Sequence, residues 1–592
     1  MADALTQLGG KQLRYSVYCS VIGIALIFLF ALLCHFIYNI YLHPLAAYPG
    51  PLLYRGSEIP RLIQEWRGNT VHKWAELHEK YGEVVRIAPN QLSYISVGAW
   101  QDIYGARGIS PPEAGPGRSK SPAFDDAEKG SRTKKSLAPQ QMPREELVFP
   151  GDDFEFFAPA KPMISCSPVE HARHRRAVGP AFSDRALRSF EPLLLQYCGI
   201  LLDRLEEEQQ KEASKEKGVD IMDWFHFAMF DITSALVFGQ PFGNMARGAY
   251  HEWVGRIFPG MKLIAWSLVV GAVPGLGRVI SRLMPRKVVD EARRHMQSIV
   301  DMTDARQRFK PHQPDFMTYI HHAGNFVKEN VHSSSANCLS ADELYLNSQL
   351  LCIAGSETTA SLLAGAVYML SRLENSHHRA RLVAELQANF SLECHITPPA
   401  LVPSRAPFLN AVLNECLRLY PPGAINMPRT VPPGGALVDR RYVPAGSVVG
   451  IAQFAAYRSP RHWVDPLTFA PERWLAASAS SSSSSSVVSP PYRDYYADDR
   501  RDVFKPFSYG PRNCVGQSLA LAECRLIVAR LFWRFEVCVL PGQDTWIRQR
   551  TFLSWEKPTL RVQLTRRDHC LEADVVPTSP PPPPEQLQRW VE

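Results

Sequence analysis

The sequence predicts a mainly α-helical protein with a small β component, preceded by one N-terminal membrane helix. Three observations carry this. No Asp, Glu, Lys or Arg lies between Arg14 and Arg55. A capping box, Ser340-Ala341-Asp342-Glu343, opens a mostly apolar, proline-free stretch from Leu344 to Leu373. The β-branched runs are short, as at Val84-Val85-Arg86-Ile87 and Val448-Val449-Gly450-Ile451, which suits a minor sheet.

The elements follow in order. Val17 to Ile37 is almost wholly apolar, and as a helix it would be about 31 Å long, enough to span a bilayer. Tyr15, Tyr18, Tyr38 and Tyr41 bracket it as interfacial residues do. The run exceeds a signal-peptide core, and bulky, Pro-rich sequence follows it in place of a small-residue cleavage site. The expected organisation is a stub at 1–14, a retained anchor at 15–42, a globular body at 43–570 and a Pro-rich tail at 571–592. Two segments read as flexible insertions: 108–150, rich in Pro, Gly, Ser, Lys and Arg, and 478–489, which contains Ser480 to Ser486. A further helix is expected from about Gln517 to Phe535.

Composition removes several functions. The 592 residues are 45% apolar, enough for a large core. With 65 Lys and Arg against 58 Asp and Glu and no long basic stripe, nothing marks a nucleic-acid binder. The twelve cysteines form no CxxC pair, so a disulfide scaffold or zinc ribbon is not expected. No GxxxxGK[ST], GxGxxG, HExxH or GxSxG occurs.

The decisive stretch is Phe507-Ser508-Tyr509-Gly510-Pro511-Arg512-Asn513-Cys514-Val515-Gly516. It matches FxxGxRxCxG and resembles the cysteine-ligand loop of the cytochrome P-450 family. The resemblance implies Cys514 as axial thiolate ligand of a haem iron, with Phe507, Gly510, Arg512 and Gly516 shaping the cofactor site. Gly510 and Gly516 are expected to take backbone conformations closed to other residues, and Arg512 to pair with a haem propionate. The helix beginning at Gln517 would favour negative charge on the sulfur.

Other motifs follow the family's order. Glu415-Cys416-Leu417-Arg418 is an ExxR and Pro471-Glu472-Arg473-Trp474 is similar to the PERF segment; the resemblance implies a buried triad of Glu415, Arg418 and Arg473. Ala354-Gly355-Ser356-Glu357-Thr358-Thr359 resembles the (A/G)GxxT oxygen-activation segment, which implies proton delivery by Thr358 and Glu357; a mid-helix threonine also bonds back to the i−4 carbonyl. His171-Ala172-Arg173-His174-Arg175 is similar to the family's WxxxR helix, with His171 in the tryptophan's place. His171, Arg175 and Arg429 are then the further propionate partners.

The resemblance covers about residues 43 to 565 and so implies one large domain. The wording of Tyr41-Leu42-His43-Pro44, Pro432-Pro433-Gly434-Gly435 and Arg458-Ser459-Pro460-Arg461 is similar to filamentous-fungal microsomal members, many of which tailor secondary metabolites. Residues 108–150 depart from that pattern and fit either a lid insertion or a retained intron. The expected activity is insertion of one oxygen atom of O₂ into a lipophilic terpenoid or polyketide at haem b. Electrons would come from a separate NADPH-dependent reductase, with cytochrome b5 as a second donor, and Lys505, Arg500, Arg501 and Arg525 as a docking face. The expected location is the endoplasmic reticulum membrane, single-pass, with the catalytic domain cytosolic. The expected substrate walls are Ala354, Ile425, Met427 and Phe552. A reductase-independent isomerase or dehydratase of the same family, a non-catalytic haem-binding protein, and a gene product kept from folding by the 108–150 segment stay open as alternatives.

Overall fold

Helices make up most of the chain, and four small sheets sit at their margins. The computed structural model describes residues 2–105, 142, 160–211, 216–273, 275–309, 311–322, 338–425, 427–475 and 495–567. Apart from Met142, the expected insertions at 108–150 and 478–489 and the tail at 571–592 lie outside the described residues.

The leading helix runs Ala2–Tyr41, and its Tyr18–Tyr41 section is long and apolar enough to cross a membrane. Three other helical stretches, Ile221–Phe238, Glu252–Gly271 and Ala341–Ser371, reach a similar length and apolarity. The first is buried throughout and the third for the most part, so their apolar character belongs to the protein core. The leading helix and Glu252–Gly271 differ, being 0% and 11% buried, and on the leading helix apolar side chains stand exposed, Ile27 at 71% and Phe30 at 67%.

The leading helix ends at Tyr41, and its last turn also touches the globular body. Asn39 and Ile40 are buried. Asn39 Nδ2 donates to the Gly56 carbonyl at 3.1 Å, and Arg55 Nη2 donates to the carbonyls of Ile40 at 2.8 Å and Ala46 at 3.0 Å. The Phe36 ring fills the space a Cβ on Gly56 would need. The last turn of the apolar helix is therefore already part of the globular body.

The capping box opens the helix Ala341–Ser371 as predicted. Ser340 Oγ accepts from the Glu343 N–H at 3.2 Å and Glu343 Oε2 accepts from the Ser340 N–H at 2.9 Å. At about 1.5 Å per residue its 31 residues cross roughly 45 Å. It packs along Ile221–Phe238, Gln517–Arg534 and Pro407–Leu419, and every residue from Thr359 to Ser371 is buried. In the largest sheet, Val84–Ala88 pairs antiparallel with Gln91–Tyr94, Gln91–Tyr94 parallel with Val448–Ile451, and Val448–Ile451 antiparallel with Arg429–Thr430. That sheet carries its own apolar core, separate from the helical one. A small hairpin, Thr551–Phe552 with Ser554–Trp555, reaches the long helix.

Truncation tests the anchor boundary. Deleting residues 1–34 is expected to release the protein from membranes with little change in thermal stability. Deleting 1–42 also removes the buried Ile40 and the Asn39 hydrogen bond, at a cost of about 2–4 kcal/mol. Membrane sedimentation together with melting of both truncations measures this, and equal stability would mean that the Asn39 and Ile40 contacts contribute nothing to the body.

Candidate functional site

The Cys514 loop is held by its own backbone. The Cys514 N–H donates to the Phe507 carbonyl at 2.9 Å, Asn513 N–H to Gly510 at 3.0 Å and Ser508 N–H to Lys505 at 2.9 Å. Gly510 has φ +75°, and a Cβ there would strike the Tyr104 carbonyl oxygen, so both conformation and space require glycine. Gly516 departs from expectation: its φ is −87°, and a Cβ would meet only Phe182 at 3.7 Å. Its contribution is a backbone hydrogen bond to Cys514.

The Cys514 side chain opens on a cavity and is enclosed by protein elsewhere. Burial pushes its thiol pKa up, and the Gly516 N–H and the Arg175 charge offset that only in part. A cation at the sulfur is what turns such a thiol into a thiolate. Around the cavity stand Phe507 and Arg512 of the loop, Ala354 and Thr358 of the long helix, and His171 and Arg175 of the helix Pro168–Val178. Ile425 and Met427 also line it. Phe552 does not. It lines a second cavity with Tyr250, Met261, Lys262 and Ser554, because the hairpin turns its side chain toward Trp266 and Lys262.

The expected cofactor partners fall into two layers. Arg512 Nη2 donates to the Cys166 carbonyl at 2.7 Å, while its Nε and Nη1 are buried without a partner. Arg175 reaches across to Asn513, donating to its carbonyl at 2.6 Å and to Oδ1 at 3.0 Å. Arg429 lies behind the wall, bound to the carbonyls of Met427 and Pro428, with its guanidinium 4.8 Å from the Tyr104 ring centre. Burial lowers its pKa to about 10, and Arg512 adds to the shift. A dianionic, largely apolar macrocycle whose metal takes a thiolate fits this set, since it supplies acceptors for the unpaired Arg512 donors.

Thr358 faces the cavity, its Oγ1 donating to the Ala354 carbonyl at 2.8 Å. Glu357 is not brought there. Its carboxylate is buried among Lys557, Ser554 at 2.5 Å and His226 at 3.1 Å. Burial alone would raise its pKa, but the Lys557 charge and the hydrogen bond with His226 hold it well below the usual carboxylate range. Of the pair expected to deliver protons, Thr358 thus lines the cavity and the Glu357 carboxylate does not.

Glu415, Arg418 and Arg473 are brought together with no solvent exposure. Arg418 donates to both Glu415 oxygens, at 2.9 and 2.7 Å, and Arg473 Nε donates to Oε1 at 3.1 Å. Motif spacing did not point to Asp499, which accepts from Arg473 at 2.5 Å, or to the Trp474 indole, which donates to Glu415 at 2.8 Å. It missed Trp100 and Tyr104 of the cavity wall as well. Of the proposed docking cations, Arg500 and Arg501 are exposed, whereas Arg525 is half-buried against Asn410.

Comparison with known proteins follows the same residues. A family model described as Cytochrome P-450 matches residues 153–564. The chain is 34% identical to cytochrome P-450 monooxygenase astJ of Aspergillus oryzae over 91% of its length and 95% of that protein's. It is 34% identical to monooxygenase aclL of the same fungus (90% and 96% covered) and 32% to monooxygenase efuB of Hormonema carpetanum (92% and 96%).

Glu523, on the helix after the Cys514 loop, was also missed. It is 4% exposed and accepts from Thr359 Oγ1 at 3.5 Å. Burial pushes its pKa up to about 8 from the usual 4.5. Between these values the folded chain keeps a proton that the unfolded chain has lost, so stability falls as pH rises through the window. Glu523→Gln removes that dependence. Its stability relative to the parent is expected to rise from pH 5 to pH 8 by up to about 1.4 kcal/mol per pH unit, then level off. Melts at a series of pH values check this, and a difference flat with pH would mean that the buried carboxyl is already ionised.

Proposed function

Because the chain belongs to the cytochrome P-450 family of oxidoreductases, we propose that it is a haem-thiolate monooxygenase that inserts one oxygen atom of O₂ into a lipophilic small molecule. The observation that carries this is the pairing across one cavity of the Cys514 thiol with the Thr358 hydroxyl. In this reading Cys514 is the axial ligand of haem b, and Arg512, Arg175, His171 and Arg429 hold its carboxylates directly or through the wall. The bound haem supplies dioxygen binding and O–O cleavage, helped by electron donation from a thiolate.

The chain's own residues do the rest. Gly516 and Arg175 stabilise charge on the sulfur. Ala354, Ile425 and Met427 offer an apolar wall with little to orient a polar substrate, which suits a fungal terpenoid or polyketide of secondary metabolism. Thr358 holds a hydroxyl at the cavity face, positioned to pass protons from water. Glu357 fixes the hairpin behind it.

The electrons are proposed to come from a separate NADPH-dependent reductase, with cytochrome b5 as a second donor. Exposed Arg500 and Arg501 beside the Cys514 loop suit such an acidic partner. The apolar leading helix supports a single-pass anchor, and exposed Leu52, Leu53, Ile59, Ile63 and Trp66 just after it extend the apolar surface. We place the enzyme on the cytosolic face of the endoplasmic reticulum.

The reduced, carbon-monoxide-bound protein is expected to show the red-shifted Soret band of thiolate ligation, and Cys514→Ser to abolish it. A spectrum of histidine ligation in the parent would defeat the reading. Thr358→Ala is expected to keep consuming NADPH with reductase while product per NADPH falls and hydrogen peroxide rises, since positioned proton transfer is worth about 10²–10⁴ in rate. Full coupling in Thr358→Ala would leave this hydroxyl only its bond to Ala354.

A further inference from the structure

Trp100 lies on the helix Val97–Tyr104 and is 3% exposed. Its ring lines the cavity above Cys514, yet its Nε1 has neither solvent nor a hydrogen-bond partner. An indole N–H can only donate, and buried donors are nearly always paired. Elsewhere in the chain the rule holds for Trp463, Trp474, Trp546 and Trp555, whose indoles donate to Ala456, Glu415, Pro558 and Pro421. Trp253 also lacks a partner, but it is stacked on His295 and lines neither cavity. Among the described residues, Trp100 is the tryptophan that lines one of these two cavities with its indole donor unpaired.

Its surroundings define what the missing acceptor must be. The Trp100 ring lies 5.5 Å from that of Tyr104, whose face carries the Arg429 guanidinium. Arg429 in turn feels the charge of Arg512, whose Nε and Nη1 are, with Gln453 Nε2, the other buried, unpaired donors of residues at this cavity. Tyr104 is fixed, donating to the Met427 carbonyl at 2.9 Å and accepting from the Ile451 N–H at 3.1 Å. One wall thus offers an indole N–H and guanidinium donors, with no protein acceptor for them. The complement is an anion with several acceptor oxygens, and in haem b the anionic oxygens are those of its propionates.

We propose that the Trp100 indole donates a hydrogen bond to a haem propionate, on the wall that also carries Arg512. The inference rests on the haem reading above and adds a holding residue outside the four motif-derived partners. A neutral donor suits this place, because a third cation beside Arg429 and Arg512 would be repelled by both.

The test is haem retention. Trp100→Phe keeps an aromatic ring and removes the donor. The holoprotein variant is expected to lose haem to an excess of a haem-scavenging protein about tenfold faster than the parent, with the thiolate-type carbon-monoxide spectrum unchanged. With haem whose propionates are methyl esters, parent and variant should differ by less than twofold. If the Phe variant fails to load haem, Trp100 is replaced by benzothienylalanine, which puts sulfur in place of the N–H at equal shape, and the same tenfold change is expected. Equal loss rates with haem b, or a tenfold difference that survives esterification, would overturn the proposal. A parent that shows no thiolate-type spectrum would instead remove the haem reading on which it stands.

Discussion

Glu415 carries a negative charge with no solvent exposure, and the route of the chain toward Cys514 depends on how that charge is met. Burial would raise its pKa, but Arg418 and Arg473 overcome this and keep it ionised. Removing either arginine would leave a buried unpaired charge, typically about 3–5 kcal/mol. The arrangement is better understood by what it ties together than by net stability. Arg418 also donates to the carbonyls of Tyr457, Pro466 and Thr468, and Glu415 accepts from the Ala470 N–H. Arg473 passes the network to Asp499, which accepts from the Val464 N–H. Trp474 donates to Glu415 and packs on Phe504 at 4.5 Å, and Lys505 N–H donates to the Tyr457 hydroxyl at 2.7 Å. Phe507 follows two residues later. The charges thus set where the cysteine loop begins, which an apolar cluster of equal volume would do with less directional constraint.

Much of this was legible because it is local. Ser340 and Glu343 close a capping box within one turn, and the apolar run behind them can only be a long helix or a broken one. The cysteine loop is likewise a short-range object, with Gly510 demanded by its own φ and by the Tyr104 carbonyl. What escaped was the direction of side chains on elements whose neighbours come from far along the chain. Phe552 lies in a turn, and only the packing of Trp266 and Lys262 decides which cavity it lines. Trp100 and Glu523 sit on ordinary-looking helices and become notable through a missing or sparse set of partners, a property of the assembled interior. The contacts at the end of the leading helix escaped for the same reason, since nothing local to Asn39 and Ile40 foretells Gly56 and Arg55 against them.

The oxygen-activation segment shows how one local motif serves opposite faces. Successive helix residues point about 100° apart, and this helix is turned so that Thr358 and Thr359 line the cavity while Glu357 does not. Ala354 and Thr358 turn to the cavity. Gly355 turns to Thr233, where a Cβ would already lie at 3.1 Å from its methyl group, so its smallness serves helix packing rather than room above the sulfur. Ser356 reaches the Met229 carbonyl on that same neighbouring helix. Glu357 faces the hairpin, and its partners Ser554 and Lys557 come from the segment that also carries Phe552. The second cavity lies on that side, with Asp223 and Tyr250 bonded to each other and Tyr250 bonded to His226. The carboxylate therefore stands between two cavities and is fully occupied by three partners. Water entering from the second cavity would reach it only by displacing a buried ion pair, whose loss is costly. The one segment thus gives the first cavity a hydroxyl and ties a fixed charge to three side chains of the second cavity's wall, and neither group could take the other's place without turning the helix.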